Sequence, residues 1–346
     1  MAKTAGGTRN RKPLNLALQG GGAHGAFAWG VIDRLLEEDC FEVDGIVGTS
    51  AGAMNAAVTA SGLAKGGAAG ARAALHDFWK RISDAARYSP LQPSPIEKFL
   101  GINGTMDNSP TFVAFEAMTR MLSPYQLNPT NYNPLREVLE AVVDCDALHV
   151  CTNVKLFICA SNVMTGKIRV FDEHDVTIDA VLASACLPFM FQAVEIDGEY
   201  FWDGGYMGNP PLYPLFYHTD CRDVLIIQLN PLNIPEVPKT AQAIMDRINT
   251  LSFNSSLMRE IRVIDFVTRL IDDGYDGGGR LHKILIHTVD AEDVLGQLGV
   301  SSKLNADWDF LMSLHETGRQ RGEAFLDAHY DKVGVESSTD IAAKFL

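Results

Sequence analysis

The chain has 346 residues, 47% of them apolar and 21% charged, enough to bury a substantial core as one large domain or one domain with an appendage. Its formal charge of −14 is spread without a sustained basic stripe, so the long-range field repels nucleic acid and anionic membrane surfaces, and no nucleic-acid partner is expected. Six cysteines (Cys40, Cys145, Cys151, Cys159, Cys186, Cys221) lack the close paired spacing of zinc or redox sites, so reduced core residues and no metal are expected. The apolar stretch 14–18 is too short for a signal segment and no later run approaches the roughly 20 residues of a membrane span, which makes a soluble cytoplasmic protein the simplest expectation.

Residues 1–13 form a basic tail carrying Lys3, Arg9, Arg11 and Lys12. A short apolar run at 14–19 then stops at Gly20-Gly21-Gly22, and 26–38 shows helical spacing through Phe27, Val31, Leu35 and Leu36. The pattern recurs at once: 45–48 is a buried strand and 50–60 a helix of small residues. Two strands feeding helices through glycine turns predict a parallel sheet with its working edge at the strand ends. An Ala/Gly-rich stretch at 64–74 precedes an amphipathic helix at 75–82. Residues 88–134 carry seven prolines (90, 93, 95, 110, 124, 129, 134) among Phe99, Leu100, Ile102, Met106, Phe112, Phe115, Met118, Met121 and Leu122. This segment is either a cap over an apolar cleft, with transient contact to a membrane surface, or irregular packing on the core.

Regular structure returns as a helix at 135–143, strands at 155–163 and 168–171, a helix at 178–185, short runs at 194–196 and 200–202, the turn Asp203-Gly204-Gly205, and a strand at 224–229. Beyond the proline-rich 231–238, apolar positions from Ile244 to Ile271 describe a long helix, and one clear strand remains at 284–287. The last third is mainly helical.

Gly48-Thr49-Ser50-Ala51-Gly52 fits G-x-S-x-G, whose small flanking residues let a strand turn sharply into a helix and hold the serine hydroxyl proud of the sheet. The Gly20-Gly21-Gly22 turn of the neighbouring strand offers backbone N–H groups for an oxyanion. Gly20, Gly22 and Gly25 also satisfy G-x-G-x-x-G, but a dinucleotide site wants an acidic residue at the end of the second strand; Asp39 and Asp44 precede that strand and its end carries Gly48-Thr49-Ser50. The elbow at residue 50 comes too early for the usual Ser, acid, His order of α/β-hydrolases. The later histidines (76, 149, 174, 218, 282, 287, 315, 329) sit in ordinary contexts, whereas Asp203 follows an aromatic strand and opens a tight turn, which by itself is also an ordinary place for Asp-Gly-Gly.

Gly20 to Gly25, then Gly48 to Gly52, then Asp203-Gly204-Gly205, in this order and spacing, resemble the patatin-like phospholipases, as does Ala183-Ser184-Ala185-Cys186-Leu187-Pro188-Phe189 ahead of the aspartate. The resemblance covers roughly 14–217. It implies a three-layer α/β/α sandwich with a mainly parallel central sheet and a lipid acyl hydrolase or phospholipase A activity. It also implies a Ser–Asp dyad, with Ser50 as nucleophile, Asp203 as base, and Gly20, Gly21 and Gly22 in the oxyanion turn. A lipid or acyl ester is the substrate and no cofactor is implied. His24 stands where the family usually has Arg or Lys, replacing a permanent charge by one that titrates near neutrality. Residues 218–346 lie outside the usual core as a mainly helical extension packed on it, and Ser252 to Leu257 resembles the extension of a bacterial subgroup. The rival class is a lipid-binding or partner-binding protein that keeps the fold without catalysis.

Overall fold

The structure, a computed structural model, describes residues 11–87, 89, 91–92, 104–107, 109–150 and 153–346. Its organisation follows from strands that are apolar on both faces. In β1 (Lys12–Leu18) Leu14, Leu16 and Leu18 point to one face and Ala17 to the other, because successive side chains alternate. The same alternation runs through β2 (Phe41–Gly48), with Ile46 opposed to Val47, and β3 (Lys155–Asn162), with Leu156 and Ile158 opposed to Phe157. Both faces therefore need a cover, which is the condition for a parallel sheet between two helical layers.

The remaining strands are β4 (Ile168–Phe171), β5 (Val194–Ile196), β6 (Glu199–Asp203), β7 (Asp223–Ile227) and β8 (Leu285–Val289). The sheet order is β5-β6-β3-β2-β1-β7-β8, with β4 also paired to β3. β3, β2, β1, β7 and β8 run parallel, whereas β4 and β6 are antiparallel to β3 and β5 to β6. The expected mainly parallel α/β/α sandwich is what forms.

One face is covered by α1 (Gly25–Glu38), α2 (Ala51–Ala86) and the helices Pro134–Val142, Ile178–Ser184 and Trp308–His329. α1 is buried almost all round, from Phe27 and Trp29 to Leu35 and Leu36, because helix Trp308–His329 lies on its outer side. That approach depends on two glycines: a Cβ on Gly30 would overlap the carbonyl of His315, and one on Gly318 the carbonyl of Phe27. Arg319 then reaches Asp33 and Glu37, and Arg34 reaches Glu323, along the rim of the crossing. α2 is a hairpin of two helices that folds back at Gly66 and Gly67, the latter at φ 60°. The Ala/Gly stretch between the two expected helices is thus itself helical apart from its turn, alanine being the best helix former and glycine supplying the positive φ.

The opposite face is covered largely by the last third of the chain. Leu257, Ile261 and Ile264 of helix Ala241–Asp272 pack with Leu212, Leu215, Val224, Ile226, Ile286 and Phe345. Residues 218–346 therefore supply a helical layer and also two strands of the sheet, β7 and β8. Of the proposed cap at 88–134, residues 88, 90, 93–103 and 108, including Phe99, Leu100 and Ile102, lie outside the described residues. The described part forms helices Pro110–Met121 and Pro124–Leu127. Met106 and Phe112 are buried, whereas Val113, Met118, Met121 and Tyr125 are exposed. Five of the six cysteines are free thiols, Cys151 being outside the described residues. Among the described residues no helix is long and apolar enough to cross a membrane.

Candidate active site

Ser50 sits where β2 turns into α2, at φ 57° and ψ −126°, a backbone conformation that side-chain-bearing residues adopt only under constraint. The constraint is local. A Cβ on Gly48 would overlap the carbonyl of Gly52, and one on Gly52 the carbonyl of Leu18, so the turn closes only with glycine at both places. The Ser50 N–H donates to Ser184 Oγ at 3.0 Å, and Thr49 ties the turn outward through its hydroxyl to the carbonyl of Gly208 at 2.8 Å.

Sheet register brings Asp203 to Ser50. Gly48 pairs with Ile158 of β3, and Asp203 pairs with Ala160, two residues further along the same strand. Ser50 lies two residues beyond Gly48, so nucleophile and carboxylate meet at one level on either side of β3. β6 runs antiparallel, which lets its last residue reach that level. Asp203 is fully buried; its Oδ1 accepts the Gly205 N–H at 2.7 Å and its carbonyl accepts the Ser161 hydroxyl at 2.8 Å. Oδ2 is buried without a hydrogen-bond partner. Burial pushes the carboxyl up to about 6, while the adjacent Ser50 hydroxyl, the Gly205 N–H and the field of Lys303 pull it back. Ser50 thus stands beside the carboxylate without closing a hydrogen bond of normal geometry.

Gly20, Gly21 and Gly22 follow β1 directly, and the ideal Cβ position of Gly20 is 2.6 Å from Ser50 Cβ, so the two glycine turns do lie side by side. Their amides are not equivalent. The Gly20 N–H already donates to Asn209 Oδ1 at 2.6 Å. Those of Gly21 and Gly22 meet no acceptor among the described residues and remain open to a ligand. Gly25 follows at the start of α1, where Asn55 Nδ2 donates to its carbonyl at 2.9 Å and Trp79 Nε1 to Asn55 Oδ1 at 3.0 Å. Gly204 and Gly205 make the turn after Asp203, packed so closely that side chains on them would overlap the Cys159 carbonyl and the Phe253 ring.

His24 departs from the sequence expectation of a charge titrating near neutrality. It is buried, with Nε2 2.7 Å from Ser302 Oγ, and since that hydroxyl donates to the Gly299 carbonyl, the ring is the donor. Burial, helped by Lys303, pushes its pKa down to about 3, so His24 is neutral at every working pH. The positive charge beside the glycine turn comes from Lys303 instead, over whose backbone Gly22 is packed. Sequence patterns gave no signal for Lys303, Asn209 or the partnership of Ser184 with Ser50.

A cavity of about 290 Å³ opens at Ser50 between Met54, Phe78, Trp79, Leu135 and Leu187. A more open depression of about 550 Å³ between helix Ala241–Asp272 and the segment 343–346 holds no nucleophile paired with a base. One Ser–His–Asp cluster does exist: His287 lies 2.9 Å from both Ser338 Oγ and Asp223 Oδ1. His287 is fully buried, neither cavity is lined by it or by Ser338, and Asp223 is the first residue of β7, at the end of the sheet away from Ser50. It clasps the C-terminal segment to the sheet.

Residues 16–216, more than half of the chain, match the family described as patatin-like phospholipase. The chain belongs to that family. It is accordingly a lipid acyl hydrolase, and its substrate class is a lipid ester. No curated protein sequence matches it. Among solved structures, VipD from Legionella pneumophila is similar at 16% identity and a TM-score of 0.40, over 95% of this chain and 72% of that one. The type III effector protein ExoU is similar at 15% identity and a TM-score of 0.34, over 92% of this chain and 54% of that one. The patatin-like match ends at residue 216, whereas the sheet continues through β7 and β8.

Proposed function

We propose that Ser50 and Asp203 are the catalytic dyad of a phospholipase A or esterase that works through an acyl-enzyme. The observation that carries this reading is the unpartnered Oδ2 of buried Asp203 beside a serine held at positive φ, at the mouth of an apolar cavity. An ester carbonyl enters with its acyl chain in the cavity. The Ser50 hydroxyl attacks the carbonyl carbon as its proton passes to Asp203, and the negative oxygen is received by the N–H groups of Gly21 and Gly22. The C–O bond to the leaving alcohol then breaks, the alcohol takes the proton from Asp203, and acyl-Ser50 remains. Water repeats the sequence with Asp203 as base, releasing the fatty acid and restoring the serine. Asp203 serves as a base near neutrality because burial has already raised its affinity for the proton.

Gly20 shapes the oxyanion turn and Gly21 and Gly22 supply its donors. The exposed apolar side chains of helix Pro110–Met121 and of Leu122 and Tyr125 offer a face for transient contact with a lipid surface. The test is a fluorophosphonate probe applied to the purified protein, to Ser50→Ala and to Asp203→Asn, followed by esters of graded chain length. Wild type should label and hydrolyse the esters, Ser50→Ala should do neither, and Asp203→Asn should lose turnover by at least about a thousandfold. Label that persists in Ser50→Ala refutes the nucleophile. Turnover that persists in Asp203→Asn refutes the base.

A further inference from the structure

Apart from Lys303, the described residues that line the cavity at Ser50 carry no charged side chain. Lys303 belongs to the short 3-10 turn Val300–Leu304, far along the chain from the dyad, and that turn lies against the glycine turn because Gly22 leaves room for the Lys303 backbone. Its Nζ donates to Asn230 Oδ1 at 2.9 Å. Asn230 is fixed in turn by its Nδ2, which donates to the Gly20 carbonyl at 2.8 Å, and by its N–H, which donates to Gln19 Oε1 at 3.0 Å. The ammonium is thereby held beside the turn that would receive the ester oxygen.

An ammonium has three donors, and among the described residues one is used. No carboxylate among the described residues lies within ion-pair distance of Lys303, whereas Lys65, Lys80, Lys155, Lys283, Lys332 and Lys344 each have one. Lys12, Lys167 and Lys239 also have none, but Lys303 alone of these lines the apolar cavity, where an unpaired cation asks for an anionic partner. Asp246 and Asp203 act on it through their fields alone, and burial lowers its pKa to about 8, so it is charged at neutral pH but poorly solvated. An arriving anion gains more there than at a solvated lysine.

We propose that Lys303 is the headgroup-binding residue of this site: its ammonium receives the phosphate oxygen of a phosphodiester lipid while the acyl chain fills the cavity and the ester carbonyl faces Ser50. The amphiphile that matches this wall has an apolar tail, an ester and an anion close behind it, in that order. Lys303 therefore sets specificity for phospholipids over uncharged esters. The inference rests on Ser50 being the nucleophile, and its test separates the two.

The experiment compares dihexanoyl phosphatidylglycerol with uncharged dihexanoyl glycerol, both as monomers, on wild type, Lys303→Met and Lys303→Arg, each first checked for fluorophosphonate labelling. Lys303→Met should lose roughly 10- to 100-fold in kcat/KM on the phospholipid, mostly through KM, and less than about threefold on the uncharged ester, with Lys303→Arg recovering most of the loss. Equal losses on both substrates would show that the ammonium acts on the ester oxygen common to them, and would overturn the assignment. So would an unchanged preference in a Lys303→Met protein that labels normally. A wild type that neither labels nor turns over either ester refutes the dyad itself, a result distinct from both.

Discussion

Asp203→Asn should stabilise the protein while removing its activity, and the gain should depend on pH in a calculable way. Asp203 is fully buried, with a folded pKa of about 6 against an ordinary value of 3.8. A carboxyl whose folded pKa lies above its unfolded value holds its proton more tightly when folded, so the fold is penalised as pH rises from 3.8 and the penalty is complete above about 6. The two values correspond to about 3 kcal/mol at pH 8 and about half of that at pH 5. Asparagine is isosteric and never ionises: its Oδ1 still accepts the Gly205 N–H, and its Nδ2 faces the Ser50 hydroxyl, which can accept. For a chain of this length about 3 kcal/mol corresponds to a melting temperature some 4 °C higher. Thermal unfolding of wild type and Asp203→Asn, followed by circular dichroism at pH 8 and pH 5, measures both numbers. A difference that is absent at pH 8, or as large at pH 5 as at pH 8, refutes the picture of an ionised carboxylate held in a costly place.

The same carboxyl sets the acid limb of activity: kcat/KM should fall about tenfold between pH 7 and pH 5 as Asp203 takes up its proton. Asp246 and Glu260, pushed up by burial to about 6 and about 7, titrate in the same window, so Asp246→Asn and Glu260→Gln must leave the limb in place, as pH–rate profiles will show. At the helix crossing, Gly318→Leu should cost more than about 3 kcal/mol in urea unfolding, because its Cβ meets the Phe27 carbonyl with no room to yield. Gly166→Ala, at φ 66° in open space, should cost about 1 kcal/mol, the price of the positive φ alone.

The strands, the elbow and the glycine turn were legible because each rests on local rules. Leu14 to Leu18 and Gly45 to Gly48 are apolar runs cut off by glycine, and Gly48 and Gly52 flank the serine as a sharp turn requires. Asp203 was legible only through its company, since an Asp-Gly-Gly turn alone says nothing of a base; register on β3 gives the physical reason it reaches Ser50. The groups that sequence reasoning missed all act across long separations. Ser184 holds the Ser50 amide and Asn209 the Gly20 amide, while Lys303 brings the charge, from a turn too short to show any periodicity. Reading His24 as a titrating group failed for a related reason: its burial under Ser302 is a tertiary fact, and burial decides its charge. The Ser252 to Leu257 stretch, set apart by its wording, proves to buttress the site. Phe253 fills the space behind Gly205, and Ser256 Oγ accepts the Asn209 N–H at 3.1 Å.

The place of β1 has a consequence for how the enzyme comes into being on the ribosome. β1 finds β2 within about 30 residues, but its other neighbour, β7, is synthesised some 200 residues later. The glycine turn at its end is fastened by Asn209 and Asn230, which follow Ser50 by more than 150 residues. Until then the serine elbow has no fastened glycine turn beside it. A chain that already carries Ser50 must therefore wait for these distant pairings before its glycine turn is in place, and their closure is the slow step in building the site.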